Sequence, residues 1–309
     1  MLVYVVRRLL WTPFLLLAVT FITFVLGHYG PGDPIKVMFG ERVNPEAVAR
    51  IRHERGLDRP LFVQYADYVW KAIRGDFGES FKFRGQKIGE LIPQKVLVSA
   101  QLGFVALMLS VLIGLPLGVI TALRQGRWLD PVTVSTTLFF MSVPGLLVAP
   151  LLIWVLVILL HWLPSGGWGG LLDGRIIMPA IVMALPGIAS WTRLMRASTL
   201  DVLGQDFIRT ARAKGLRESM VQFRHVARNA LIPIMTVLGL SLGTLVEGAF
   251  ITEGIFGIPG IGRLAVDSLF ARDYPVITAI TLVIAVSFVA ANLFVDLMYA
   301  YLDPRIRYR

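Results

Sequence analysis

From Val96 to Leu123 the chain carries no charged side chain. A helix needs about 20 mostly apolar residues to cross a bilayer core about 30 Å thick, and this run supplies them with some to spare. Five more runs of the same kind follow or precede it: Leu9–Leu26, Thr133–Trp162, Ile176–Thr192, Ala230–Ile251 and Pro275–Tyr301. In hydrocarbon every backbone amide and carbonyl must find its partner inside the protein, so runs of this length are helices. A membrane barrel would show segments of about ten residues with alternating polarity, and those are absent. The sequence therefore predicts an all-α integral membrane protein with six transmembrane helices. Composition agrees: 56% of the residues are hydrophobic and 16% charged, where a soluble domain carries about 25% charged.

The first run follows Arg7 and Arg8, a start that cleavable signal peptides share. It is long for a cleaved signal, and no small-x-small site precedes Pro31, so it reads as a retained anchor. The third run is longer than a membrane needs and contains Pro144-Gly145. The fourth is short and contains Pro186-Gly187. Each dipeptide is a candidate kink or hinge, and equally a place where tilt or a break merely accommodates length.

Lys and Arg in short loops set orientation. With the N-terminus in the cytoplasm, the inner segments hold fifteen basic residues and the short outer loops only Arg175, Arg263 and Arg272. The remaining twelve lie between the first two runs, in a segment long enough to translocate regardless of charge. Both termini are then cytoplasmic. The layout becomes residues 1–29 as tail and first span, 30–95 as an extracytoplasmic insert, and 96–309 as the remaining spans with a cytoplasmic loop over 193–229. The net charge of +10 is what such loops produce. Arginines clustered at the ends of apolar runs argue against a nucleic-acid partner and for a lipid bilayer.

Within the insert, Asn44-Pro45 opens a helix expected over Pro45–Arg55 that Gly56 can close. A second helix is expected from Pro60 to Arg74, with Leu61, Tyr65, Tyr68, Val69, Ala72 and Ile73 on one apolar face. The insert is either a lid on the pore mouth or a docking surface, and the two roles are compatible. The inner loop Arg193–Arg228 predicts a short helix over Phe207–Ala213, a break at Gly215, and helical spacing again over Glu218–Val226. That element suits insertion into a partner's groove; a solvated basic face against anionic lipid is the alternative.

Catalytic chemistry has no foothold. None of His28, His53, His161 and His225 has metal-ligand spacing, no G-x-S-x-G occurs, and no glycine directly precedes a lysine, which excludes a phosphate loop. The glycine cluster Gly166–Gly170 lacks both the lysine and the strand-to-helix setting. With no cysteine in the chain, the redox compartment is unreadable.

The inner loop, FIRTARAKG followed by RHVARNALIP, resembles the cytoplasmic signature of ABC-importer permeases, specifically the B-type subunit of the dipeptide/oligopeptide family. In the broad superfamily that signature reads E-A-A, three residues, then G. Here Arg209-Thr210-Ala211 stands in the E-A-A place and Gly215 is the glycine, a departure that looks like the peptide branch. The similarity covers nearly the whole chain. YVVRRLL, GPGDP at Gly30–Pro34, GLDRPLFVQY at Gly56–Tyr65, GDFGES at Gly75–Ser80, GIFGIPGIGRL at Gly254–Leu264, RDYPVI at Arg272–Ile277 and the closing DLMYAYLDPRIRYR match in order. The resemblance implies a type I ABC importer permease fold, a bacterial or archaeal cytoplasmic membrane, and no enzymatic activity or cofactor in this chain. ATP and Mg would be bound by two cytoplasmic ATPase subunits. A homologous second permease would complete the pore, and an extracytoplasmic substrate-binding protein would deliver di- or oligopeptides. Glutathione and nickel importers share these motifs. It also implies that Arg209, Thr210, Ala211, Ala213, Lys214, Gly215 and Glu218 form the coupling element that receives the ATPase.

Ionisable and polar groups in spans are candidates for a translocation path: Glu247, Asp296, Asn292 one turn before it, and Ser142. Structural hydrogen bonding between helices is the competing role. The apolar, glycine-rich Gly254–Gly262 reads either as a re-entrant or interfacial loop or as a packed turn. An ion-driven secondary transporter would show internal repeats and midplane charges, which are not evident, and a membrane enzyme lacks its residues.

Overall fold

The computed structural model describes residues 2–29, 46, 49–50, 53, 56, 58–83, 85–243, 245 and 249–302, and the side chains of these except 2–9, 236, 243 and 294–302. The described elements are helices, with one isolated antiparallel bridge between Glu79 and Lys87. Among the described residues four helices are long and apolar enough to cross a membrane, and a bent pair makes a fifth where it counts as one broken span. The fifth expected span, Ala230–Ile251, is represented by α9, Arg228–Gly243 (16 residues); by itself it is shorter than the other four, residues 244 and 246–248 after it lie outside the described residues, and α10 is Phe250–Ile255. The chain divides into two compact units.

The first unit comprises residues 1–99, 246–250 and 259–309. Helix α1, Leu2–Tyr29, packs along α12, Tyr274–Leu302. Gly27 makes the close approach possible: a Cβ there would lie 3.1 Å from the Cβ of Tyr274. The expected insert helix over Pro60–Arg74 is α2, Leu61–Ile73, capped by Pro60. Its apolar face meets α1 as the spacing predicts. Tyr65 stacks edge-on against Phe21 at 5.1 Å between centroids, and its hydroxyl donates to the Leu17 carbonyl at 2.7 Å. Tyr68 lies beside Phe24. The other expected insert helix, Pro45–Arg55, falls largely outside the described residues. A core of Ile88, Ile92, Ile261, Leu264, Val276, Ala279 and Ile280 joins the start of α3, Ile88–Leu123, to α11, Ile261–Phe270, and α12. The Ser99 hydroxyl accepts from the Ile261 amide at 2.8 Å within it.

The second unit comprises residues 100–245 and 251–258. Helix α4, Leu129–Ser142, meets α5, Gly145–Leu152, at Pro144, and a π-helical segment, Ile153–Leu159, continues α5. The two limbs are bent by 97°. A proline disfavours helical backbone in the residue before it, and Val143 and Pro144 are both extended (ψ 117° and 137°). Pro186 behaves differently: α6, Ile177–Leu203, runs through it unbroken. The Ser110 hydroxyl donates to the Ala184 carbonyl near this proline at 3.1 Å, a donor from outside the helix.

Helix α6 also continues past the expected end of its span at Thr192. Residues 193–203 are helical, so the inner loop starts later than the run of charges suggests. One side of this extension is buried, at Met195, Ser198 and Thr199, and the Ser198 hydroxyl donates to the Ala230 carbonyl at 2.8 Å. Arg193 and Arg196 break the hydropathy without breaking the helix. Lipid supplies no hydrophobic drive to bring helices together, so small residues at the contact decide how closely they pack. Gly114 and Gly118 on α3 do this against α6. A Cβ would stand 2.7 Å from the Trp191 Cβ at the first and 2.6 Å from the Thr192 carbonyl at the second.

Candidate functional site

The site suggested by the sequence is the inner loop after α6, and it folds on its own small core. Helix α7 spans Asp206–Ala213, close to the expected Phe207–Ala213. Its inward face carries Ile208 (0% exposed) and Ala211 (6%), which pack with Val221 and Val226 (both 0%) and the half-buried Leu216. The second helical stretch is mixed: α8, Glu218–Met220, runs into a π-helix, Val221–Ala227, which leads into α9.

The turn between α7 and α8 follows from Gly215. Its φ is +72°, a region that residues with a Cβ enter at a cost. The Gly215 amide donates to the Arg212 carbonyl at 2.9 Å and the Leu216 amide to the Ala211 carbonyl at 3.4 Å. This is the paired bonding of a Schellman ending, with Leu216 folded back over the last turn. Within the chain no atom lies within 4 Å of where a Cβ would stand. Conformation requires the glycine at this position, and space does not.

An ion pair closes the turn. Arg212 Nε and Nη2 donate to the two oxygens of Glu218 at 3.2 and 2.8 Å. The guanidinium holds the Glu218 carboxyl below its ordinary range, chiefly through these hydrogen bonds, and Glu218 in turn raises Arg212. Exposed pairs of this kind contribute about 0.2–1 kcal/mol, so the pair trims the turn while the apolar cluster holds it. Arg209 pairs with Asp206 at 3.5 Å on the outer face, and the Thr210 hydroxyl donates to the Asp206 carbonyl. Arg209, Thr210, Ala213, Lys214, Gly215 and Glu218 are thus exposed together, while Ala211 faces the chain's own core.

At the foot of α6, Arg196 Nε and Nη2 donate to both Asp130 oxygens at 2.8 and 2.9 Å. Asp130 also accepts from the Gly126 amide at 3.3 Å. This fork ties the start of α4 to the helix that leads into the loop. It escapes sequence reasoning because its partners are distant in the chain. The Gly114/Gly118 pair has a local signal, G-x-x-x-G in an apolar run.

The candidate path residues are less informative. The Ser142 hydroxyl donates to the Leu138 carbonyl at 2.9 Å and the Asn292 amide to the Phe288 carbonyl at 2.9 Å, each one turn back on its own helix. Glu247 lies outside the described residues, as does the side chain of Asp296. The glycine-rich stretch after Gly254 is packed: Phe256 and Ile258 are buried, and the Phe256 carbonyl accepts from the Gly167 amide at 2.6 Å.

Outside the loop, Asp273 is fully buried and gathers three donors from the end of the insert: the Ser80 hydroxyl and the Phe81 and Lys82 amides. This anchor joins residues far apart in sequence and has no motif to announce it.

Comparison with known proteins places these features in a family. Residues 114–308 match the family described as the binding-protein-dependent transport system inner membrane component, and residues 1–83 match the N-terminal family of the same membrane components. The chain is 39% identical over 313 residues to the oligopeptide transport system permease protein AppB of Bacillus subtilis, covering 99% of each. It is 37% identical to OppB, an oligopeptide transport system permease of Escherichia coli K12, covering 100% of each. Identity to the dipeptide transport system permease DppB of the same organism is also 37%, over 343 residues, again with full coverage. Among solved structures, an inward-facing MetNI methionine ABC transporter aligns with a TM-score of 0.56 at 16% identity, over 69% of this chain and 96% of that one. An amino acid ABC transporter solved with histidines aligns at 0.52 and 18%, over 70% and 94%. At those identities the likeness is one of fold. The chain belongs to the inner-membrane permease components of binding-protein-dependent ABC transport systems.

Proposed function

We propose that this chain is one of two homologous permeases lining the pore of an importer for di- and oligopeptides, driven by two cytoplasmic ATPase subunits and fed by an extracytoplasmic binding protein. The observation that carries the substrate class is the full-length similarity to oligopeptide and dipeptide permeases. The folded inner loop is the coupling element: its exposed Arg209, Thr210, Ala213, Lys214, Gly215 and Glu218 meet the ATPase, and Ala211 holds the loop's shape from beneath. Closing of the ATPase pair moves a rigid body, because the apolar cluster and the Asp130–Arg196 fork leave little to bend. The chain crosses the membrane six times with both termini inside, an orientation supported by the bias of basic residues. Residues 30–95 form the extracytoplasmic insert, and Ser142, Glu247, Asn292 and Asp296 remain the path candidates.

The test is reconstitution of the assembled transporter in liposomes with its binding protein, following a labelled tripeptide. Uptake should require ATP and collapse without the ATPase chains. Uptake that persists without ATP and follows an ion gradient would refute the reading. Single cysteines at Gln64 and Ser219 should label from opposite sides; labelling of both from outside would overturn the orientation.

A further inference from the structure

Helix α2 has a cavity on each side. Above it lies a polar cavity of about 490 Å³ whose lining includes Arg59, Gln64, Asp67, Lys71, Asp76 and Glu79. Below it lies an apolar cleft of about 530 Å³ between α1, α2 and α12, walled by Leu16, Leu17, Val69, Ile73, Leu282 and Val286. Tyr68 and Phe77 line both, so the two spaces meet at those side chains.

Depth says what phase fills the cleft. Gly27 stands level with Tyr274, near the insert-facing ends of α1 and α12. With a rise of about 1.5 Å per residue, Leu17 lies about 15 Å below that level, and Leu282 to Val286 about 12–18 Å below it. A half-bilayer of hydrocarbon is about 15 Å deep, so the cleft sits at the depth of acyl chains. Helix α2 meets α1 between Leu17 and Phe24 through Tyr65 and Tyr68, so it borders the cleft from the side, with its apolar face toward the cleft and Trp70 under the Arg74 guanidinium at 4.2 Å.

We infer that these two spaces together form a binding site for one zwitterionic phospholipid of the surrounding membrane, its acyl chain in the cleft and its headgroup in the cavity above. Three observations fit that amphiphile. The cleft is apolar where the chain would lie. The cavity carries both signs: Arg59 and Asp67 pair across 3.3 Å, and Lys71 and Asp76 line it as well, a mixture that suits a headgroup with a phosphate and an ammonium better than a purely anionic one. At the seam, the Tyr68 hydroxyl is buried with no hydrogen-bond partner among the described residues. A buried donor without a partner is costly, and a glycerol ester carbonyl at that height accepts it. Burial pushes the Tyr68 phenol above its ordinary range, which keeps it a donor.

The assembled transporter in nanodiscs containing phosphatidylethanolamine with a mid-chain diazirine tests this. After illumination, adducts on the α2 and α12 peptides should exceed those at the exposed apolar Leu112 and Leu151 by about tenfold, which corresponds to about 1.4 kcal/mol of preference. Ala72→Trp and, independently, Val286→Phe fill the cleft from opposite walls and should return labelling to the level of those reference positions. The same probe on a phosphatidylglycerol headgroup should label less, and Lys71→Gln should weaken retention of either lipid. Adducts no higher than at the reference positions overturn the proposal, as do adducts unchanged in both filled variants. Displacement of the probe by a short peptide would assign the cavity to a peptide, and cross-linking of the cleft to the second permease would make it a subunit contact; either result also overturns it.

Discussion

Replacing Gly215 separates what the loop itself needs from what a partner needs. The left-handed conformation costs a residue bearing a Cβ about 1–2 kcal/mol. Nothing lies within 4 Å of that Cβ, so alanine and tryptophan incur nearly the same cost inside this chain, and asparagine, which tolerates the region, incurs less. The loop can absorb it: fully burying a side chain such as Ile208, Val221 or Val226 stabilises by about 1.5–3 kcal/mol each. Gly215→Asn, Gly215→Ala and Gly215→Trp should therefore all leave residues 206–227 protected in amide exchange, with alanine and tryptophan equally weakened. Function should split them. In proteoliposomes of the assembled transporter, Gly215→Ala should keep most ATP-dependent peptide uptake. Gly215→Trp presents its ring to whatever docks there, and should lose at least about tenfold, corresponding to 1.4 kcal/mol, in uptake and in substrate-stimulated ATP hydrolysis together. Equal uptake by the alanine and tryptophan variants would show that no partner approaches this turn, and the coupling assignment would fail.

Ala211→Glu puts a carboxylate into the cluster of Ile208, Val221 and Val226, where an unpaired charge is not tolerated; exchange protection across 206–227 should collapse, whereas Ala213→Glu on the exposed side should leave it intact. Gly118→Ala already sets a Cβ 2.6 Å from the Thr192 carbonyl and 2.7 Å from the Met195 Cβ; overpacking of this kind costs about 1–3 kcal/mol, so melting of the purified complex should fall below wild type in Gly118→Ala and further in Gly118→Leu. Asp273→Ala strands three donors, and because a buried donor left without a partner costs about 1–3 kcal/mol, residues 79–83 should exchange much faster while residues 206–227 do not change. Glu218 titrates below its ordinary range in the folded loop, so its contribution is present above the unfolded pKa of about 4.3 and is lost as pH falls through the lowered folded value. Loop protection should be flat from pH 8 to 5 in wild type, and Glu218→Gln should remove any acid-dependent step below that.

Period and punctuation made part of this architecture legible. The apolar face of α2 could be written from spacing alone because Tyr65 and Tyr68 fall on the side that meets α1. The break at Pro144 and the turn at Gly215 follow from what those residues do to a backbone. Three kinds of feature stayed hidden. The extension of α6 to Leu203 was masked by Arg193 and Arg196, since hydropathy counts charges without asking which side of a helix they occupy. Long-range partners such as Asp273 with Ser80, or Asp130 with Arg196, have no local signature. The π-helical segments Ile153–Leu159 and Val221–Ala227 differ from α-helix by a bond shift that composition does not encode. In the inner loop, spacing finds the elements but does not assign faces, and the resemblance that names Ala211 among the coupling residues does not say that its side chain points into the loop's own core.

The right-angled elbow at Pro144 changes the arithmetic of how far a chain reaches. Leu129–Ser142 has 14 residues, a limb of about 21 Å, and Gly145–Leu159 is a limb of about 23 Å. Laid end to end they would extend well past a bilayer core of about 30 Å. Turned through 97°, their outer ends are only about 29 Å apart by the same rise per residue. A stretch with nearly half again as many residues as a straight span thus has the number a bent route requires. Shortening either limb by one helical turn while keeping the elbow would pull its end out of register with the membrane surface, so the surplus measures the detour.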